Sequence, residues 1–258
     1  MANERVVDPS NCESDETADR RFAGVARLYG EDAFEAFAHA TVVVIGLGGV
    51  GSWAAEALAR SAVGHIVLVD FDHIAPSNVN RQLHAIEGSF GKAKVLAMAE
   101  RLRAINPTIT ITMHDVFAES ANLEQIIPKG SFVLDTCDDV AAKVALAHFC
   151  KSQQIALVMC GGAGGKIDPT RIQIADLSKT TQDPLLAKIR AQLRKNHSFS
   201  RDLKKSMGIQ AIYSSEARQG IASGGLACSG YGSAVTVTAA FGFAAAASCL
   251  AQIANSQG

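Results

Sequence analysis

Residues 41–82 read TVVVIGLGGVGSWAAEALARSAVGHIVLVDFDHIAPSNVNRQ, a stretch with the plainest fold signal in the chain. An apolar run ends in Gly46-Leu47-Gly48-Gly49-Val50-Gly51, an amphipathic segment follows, and a second apolar run ends at Asp70. This order predicts strand, phosphate loop, helix, strand and a carboxylate for ribose hydroxyls. Gly46, Gly48 and Gly51 allow a tight turn, close approach to a phosphate and close packing of the helix on the sheet. The free N–H groups at the helix start, with the helix dipole, favour an anion. Asp70 stands 24 residues after Gly46, a suitable distance for ribose. A glycine turn without a ligand would give the same local pattern, but two β-rich flanks favour a nucleotide. The continuation Ser77-Asn78-Val79-Asn80-Arg81-Gln82 then places polar groups and a cation where a dinucleotide dehydrogenase has no use for them.

Working outward, residues 92–104 read as a helix stopped before Asn106-Pro107, and 108–114 and 131–135 as strands. Residues 141–152 are helical in character, and 155–160 form a strand closing on Gly161-Gly162-Ala163-Gly164-Gly165. Such alternation predicts an α/β, Rossmann-like fold: a mostly parallel sheet with helices on both faces, carrying a basic insertion and a C-terminal apolar helix. The 258 residues, 48% hydrophobic and 19% charged, suffice for one full core. The expected organisation is a flexible acidic tail over 1–18 and a single domain over 19–258, with 178–225 as a basic, flexible substrate-binding segment.

A formal net charge of −1 gives no global field that points to a partner. Residues 178–218, however, hold nine Lys or Arg against three Asp or Glu. Within them DPLLAKIRAQLRK, at 183–195, predicts a helix with Leu185, Leu186, Ile189 and Leu193 inward and Lys188, Arg190, Arg194 and Lys195 in water. A cationic helix on a near-neutral protein suits a polyanion, although a solvated helix face reads the same way. Residues 226–258 carry no charge. The apolar core at 234–253 is long enough to span a bilayer, but it is rich in Ala, Gly and Thr and lacks cationic anchors on its C-terminal side. A buried core or dimer-interface helix is expected there rather than a membrane span. The six cysteines have no framework spacing and form no CxxC, which suits a reducing cytoplasm and gives no support for a tetrathiolate zinc site. The N-terminal stretch lacks the cationic and apolar regions of a signal peptide.

With these residues set out, the chain resembles the ubiquitin-activating-enzyme superfamily, whose bacterial members adenylate the C-terminus of small sulfur-carrier proteins. Within it, GGAGGKIDPTRIQIADLSKT at 161–180, DPLLAKIRAQLRK at 183–195, IYSSEA at 212–217 and CSGYGSAVTVTAAFGF at 228–243 resemble the dehydratases that cyclise threonylcarbamoyladenosine beside the tRNA anticodon. The resemblance implies ATP and magnesium as cofactors, with a monovalent cation as a further expectation. It implies nucleotide contacts at Gly46, Gly48, Gly49, Gly51, Asp70, Asp72, Ser77, Asn78, Arg81, Gln82, Lys94, Asp138 and Asp139. Arg81 and Lys94 would meet the ATP phosphates, with Lys92 a lesser contributor, and Asp138 would position magnesium. Asp139 stands where the superfamily more often has Asn. Cys228 matches a cysteine linked to sulfur-relay partners. It is a candidate nucleophile, but no His or Lys beside it in sequence lowers its pKa, so a structural or accessory role is preferred. A second N-terminal Arg that reaches the partner's ATP in sulfur-carrier-activating members corresponds to Gly24 here, leaving Arg20, Arg21 or Arg27 to substitute in an expected homodimer.

The expected reaction is adenylation of the threonine carboxylate of the modified adenosine, followed by ring closure with loss of AMP. Bringing a carboxylate to the α-phosphate sets anion against anion, so the site needs cations at the nucleophile, the reacting phosphate and the departing pyrophosphate. Lys188, Arg190, Arg194, Lys195, Lys204 and Lys205 would hold the anticodon arm. Two alternatives stand beside this reading: activation of a sulfur carrier ending in Gly-Gly, and a non-enzymatic nucleotide-binding scaffold. His65, His73, His84 and His114 are titratable, but a satisfied structural histidine is the expected state of each.

Overall fold

A computed structural model describes residues 14–202, 204–219 and 231–256 of the chain. Two helices, α1 (Ser14–Tyr29) and α2 (Glu31–His39), precede the first strand, so helix begins inside the stretch expected as a tail. Residues 1–13 of that tail, and Cys228, lie outside the described residues. The chain continues through β1 (Thr41–Ile45), α3 (Gly51–Arg60), β2 (His65–Val69), α4 (Lys94–Ile105) and β3 (Thr110–His114). Then come α5 (Leu123–Ile126), β4 (Phe132–Asp135), α6 (Val140–Gln153) and β5 (Ala156–Cys160). The last elements are β6 (Ile172–Asp176), α7 (Pro184–Asn196), β7 (Gln210–Ser214) and α8 (Val235–Asn255).

Seven strands form one sheet in the order β3-β2-β1-β4-β5-β7-β6. Every neighbouring pair is parallel except β6 with β7, which run antiparallel from Ile172↔Ser214 to Asp176↔Gln210. The strand order reverses between β1 and β4, and a crevice opens there at the carboxyl ends of the strands, the usual place for a ligand in such sheets. Alternate strand residues feed two cores. Val42, Val44, Ile66 and Leu68 pack with α3, α4 and α8, while Val43, Ile45, Val67 and Val69 face α5, α6 and α7. Burial on both faces is why these strands read as continuous apolar runs rather than alternating ones.

Helix α4 starts two residues later than its periodicity predicts. Lys92 and Ala93 are held out of the helix, because Ile74 donates its N–H to the Lys92 carbonyl and His73 bridges Ala93. At its other end Asn106 lies in the extended region that a following proline favours. Helix α8 is long and apolar enough to cross a membrane by length and composition, yet most of it is buried inside the protein. It approaches α3 closely at Gly242, where a Cβ would lie 2.5 Å from the Val50 carbonyl oxygen and 2.9 Å from Trp53 Cβ. The apolar character of α8 is therefore explained by contacts within its own chain, and its composition no longer argues for a dimer.

Helix α7 forms where DPLLAKIRAQLRK predicts it, with Leu185, Leu186, Ile189 and Leu193 buried. The expectation that all four of its cations stay wet is corrected for the two arginines. Arg190 is half-buried and donates to the Thr180 hydroxyl and the Leu177 carbonyl, while Arg194 Nε donates to the Ser200 carbonyl at 3.2 Å. A guanidinium presents several N–H donors in a planar fork, and with them these two arginines staple the helix to its flanks. Lys188, Lys195, Lys204 and Lys205 remain exposed.

Candidate nucleotide site

A cavity of about 950 Å³ opens over the carboxyl ends of β1, β2 and β4. Its floor is the glycine loop. Gly46 takes φ +86° and packs on the turn after β4, where a Cβ would sit 3.0 Å from the Cys137 backbone. At Gly51 a Cβ would fall 1.9 Å from the Gly46 carbonyl oxygen, so this residue serves helix–strand packing and is absent from the cavity lining. Gly48 faces open space, and the Arg81 side chain drapes over Gly49 at 3.0 Å from where a Cβ would be.

Asp70, at the end of β2, accepts from Leu47 N–H at 2.5 Å and from Asp72 N–H at 2.8 Å, which fixes its carboxylate against the glycine loop. Burial raises its pKa, and the nearby Lys94 ammonium pulls the other way. Lys94 opens α4 with a side chain only 5% exposed, its Nζ lying 2.7 Å from Asp72 Oδ2 and 3.8 Å from Asp70 Oδ1. Lys92 turns instead to Glu100 and does not line the cavity. Arg81 follows a short 3-10 turn, Pro76–Asn78, and donates from Nη1 to the Ser77 carbonyl and to Asn80 Oδ1, both at 2.9 Å. The indole N–H of Trp53, on α3, holds the Arg81 carbonyl at 2.9 Å. Across the crevice, Thr136 donates its hydroxyl to the carbonyls of Ile45 at 2.9 Å and Gly46 at 2.6 Å, which locks the turn carrying Asp138 to the glycine loop.

Of the residues singled out in the sequence, Gly46, Gly48, Gly49, Asp70, Asp72, Asn78, Arg81, Gln82, Lys94, Asp138 and Asp139 converge on this cavity. Ser77 and Gly51 do not line it. Two members play structural parts as well: Asn78 Oδ1 accepts from Ala75 N–H, and Asp139 Oδ1 caps α6 by accepting from Ala142 N–H at 2.8 Å. Cys137 also lines the cavity, but burial and the Asp135 carboxylate push its thiol pKa well up, so it remains a protonated donor to Asp135 and not a nucleophile. His65 bridges the Thr41 and Thr112 hydroxyls as a satisfied structural histidine. His84 departs from that expectation: it is 4% exposed and neither ring nitrogen has a partner. Arg21 donates to the Ile105 carbonyl of its own chain.

Sequence reasoning passed over Phe71 and Phe117. Their rings stack with centroids 4.5 Å apart and remain 51% and 59% exposed at the cavity's edge beyond Asp70. The registry of β2 with β3 brings them together, since Phe71 follows one strand and Phe117 the other, and no spacing in the sequence reports that pairing. On the opposite wall, Ala163 belongs to the glycine-rich turn after β5. Gly162 in that turn donates its N–H to Asp183 Oδ2 at 2.9 Å, while Asp183 Oδ1 caps α7 through Leu186 N–H at 3.0 Å. One carboxylate thus bolts the start of the cationic helix to the cavity wall.

A doubly wound sheet with a glycine-loop crevice lined by Asp70, Arg81, Lys94 and Asp138 is the architecture of a nucleotide-binding protein. The chain matches the ThiF family over residues 20–256, and it belongs to that family. It is 45% identical over 247 residues to the tRNA threonylcarbamoyladenosine dehydratase of Escherichia coli (strain K12), covering 90% of this chain and 92% of that one. A crystal structure of the E. coli tRNA N6-threonylcarbamoyladenosine dehydratase in complex with ATP superposes with a TM-score of 0.88 at 44% identity, covering 94% of this chain and 97% of that one. The molybdopterin-synthase adenylyltransferase of the same organism is 34% identical over 52% of this chain and 54% of its own length.

Proposed function

We propose that this protein is an ATP-dependent dehydratase that adenylates the threonine carboxylate of tRNA threonylcarbamoyladenosine and closes it into the cyclic form. The observation that carries this reading is the convergence of Arg81, Lys94 and Asp138, from three separate segments, on one cavity with the glycine loop. ATP laid along it would place its phosphates over Gly48 and Gly49, its ribose at Asp70 and its base against the flat face of Phe71 and Phe117. Arg81 and Lys94 then offset the charge that builds as the carboxylate oxygen bonds to the α-phosphorus and pyrophosphate leaves. In the second step a nucleophile within the same threonylcarbamoyl group attacks the acyl carbon, AMP departs and the ring closes. The walls contribute by positioning the group and by keeping out water that would hydrolyse the adenylate.

Among the described residues no three metal-ligating side chains cluster. Magnesium commonly binds through one or two carboxylates together with substrate phosphates, and Asp138 on the cavity rim fits that mode. Bound there, the ion would supply further charge neutralisation on the phosphates. The exposed ammonium groups of Lys188, Lys195, Lys204 and Lys205 support an RNA-binding role for the segment after β6, since α7 is anchored at the cavity wall by Asp183. Cys137, Cys150, Cys160 and Cys249 are free thiols, in keeping with a cytoplasmic setting. A homodimer is part of the proposal, checked by light scattering.

The deciding experiment incubates the full chain with ATP, magnesium and tRNA bearing threonylcarbamoyladenosine, and reads the nucleosides by mass spectrometry. Loss of one water with release of AMP and pyrophosphate is the expected outcome. Pyrophosphate exchange that requires a diglycine-ended carrier protein, with unchanged tRNA, would replace this reading with the sulfur-carrier one.

A further inference from the structure

Lys143 is the one lysine of the described residues whose side chain is fully buried, and it pairs with an equally buried Asp135 at 2.9 Å. Interior ion pairs commonly stabilise no better than well-packed apolar residues of similar volume, so stability alone is a weak account of this one. Its connections suggest another. Lys143 Nζ also donates to the Cys160 carbonyl at 2.7 Å, and the Cys137 thiol donates to Asp135 Oδ1 at 3.1 Å. Asp135 closes β4, three residues before Asp138, and Cys160 closes β5 just before the turn that contains Ala163. A single ammonium therefore joins the end of β4, which borders the crevice, and the end of its neighbour β5 to the first turn of α6. Burial works against that charge, but the Asp135 carboxylate outweighs it and keeps the lysine protonated.

We infer that Asp135 and Lys143 are positioning residues, holding the turn at 136–139 so that Asp138 meets the metal–phosphate group of bound ATP at a fixed geometry. The inference rests on the assignment of Asp138 proposed above. Outer residues that orient a metal-binding carboxylate commonly change metal affinity or activity by about 10–100-fold when lost. Asp70 and the ribose end of the site lie across the crevice, so affinity for ATP alone stays within about threefold of the parent in these variants.

The test uses the full chain with two variants. Asp135→Asn keeps the shape and an acceptor for Lys143, while the double variant Asp135→Leu/Lys143→Met removes both charges together. Circular dichroism and thermal melting establish folding, ATP binding is measured by calorimetry, and Mn2+ bound to the protein–ATP complex is followed by electron paramagnetic resonance. Folded variants with about tenfold weaker Mn2+ binding, an altered Mn2+ spectrum and near-parental ATP affinity are expected. Parental Mn2+ affinity and spectrum in either folded variant would overturn the inference. Loss of folding in both would assign the pair to stability alone, with the same effect. Asp138→Asn separates the two levels: if it too leaves Mn2+ binding unchanged, the assignment of Asp138 has failed, and if it alone weakens binding, only the positioning role has failed.

Discussion

Replacing His84 with leucine should flatten the acid side of the stability profile by an amount fixed by its surroundings. The imidazole is 4% exposed, both ring nitrogens lack partners, and burial together with the Lys94 ammonium lowers its pKa from 6.5 to about 4. The folded protein therefore refuses a proton that the unfolded chain takes up. That difference is absent above the unfolded value, grows as pH falls through 6.5 and levels off below about 4. Integrating the two titrations gives a loss of about 2 kcal/mol between about pH 7.5 and about pH 5, approaching about 3 kcal/mol at lower pH. His84→Leu removes this contribution and also frees the fold of two desolvated nitrogens, so near neutrality it should equal or exceed the parent in stability. Urea denaturation of both proteins across that range measures the effect. The carboxylates that also titrate on the acid side, Glu56 and Asp70 among them, are common to both proteins and cancel in the comparison. If parent and variant lose stability in parallel, His84 is not held neutral in the fold and the reasoning is refuted.

Arg81→Ala should lower kcat/KM for cyclisation by about 10²–10³-fold without unfolding the chain, and a rate within threefold of the parent would deny Arg81 its phosphate role. Phe117→Ala takes away half of the stacked platform; KM for ATP should rise severalfold while kcat with saturating ATP changes little. Asp183→Ala removes the α7 cap and the Gly162 bond together and should cost about 1–2 kcal/mol, visible as a lower melting temperature. Reversing Lys188, Lys195, Lys204 and Lys205 to Glu should weaken tRNA binding and shallow its dependence on salt; an unchanged salt slope would place the RNA elsewhere.

The fold was legible because its sheet is parallel and covered on both faces. Runs such as Val42–Ile45 and Ile66–Val69 are apolar at every position, and glycine-rich turns mark where they end. Asp70 and the polar segment through Arg81 were legible from their place after the glycine loop, whereas Lys94 and Asp138 were picked out by resemblance; all four line one cavity. What escaped depends on contacts across the fold. The stack of Phe71 on Phe117 follows from strand registry, and the Asp135–Lys143 pair from the way α6 packs back on the end of β4. The delayed start of α4 follows from a bridge to His73, which helical periodicity does not report. Arg190 and Arg194 were misjudged because a hydrophobic stripe tells which side chains face inward, but not which of the remaining cations find local backbone to hold.

The antiparallel pairing of β6 with β7 has a consequence for how substrate recognition can change. Everything between Asp176 and Gln210, α7 and its lysines included, is an enlarged hairpin loop. Its base is closed by short-range bonds: Leu177 N–H meets the Ile209 carbonyl at 2.8 Å, and the Asp176 carboxylate takes the N–H groups of Met207 at 3.0 Å and Gly208 at 2.9 Å. Loop-closure cost grows slowly with length, so such an excursion can lengthen, shorten or be exchanged while the strands beneath keep their register. Any replacement has to return apolar groups in place of Leu177, Leu185, Leu186, Ile189, Leu193, Phe199, Met207 and Ile209, and a carboxylate for Gly162. The proposed RNA-binding surface is thus carried as a cartridge, mounted beside a nucleotide cavity whose lining it does not supply.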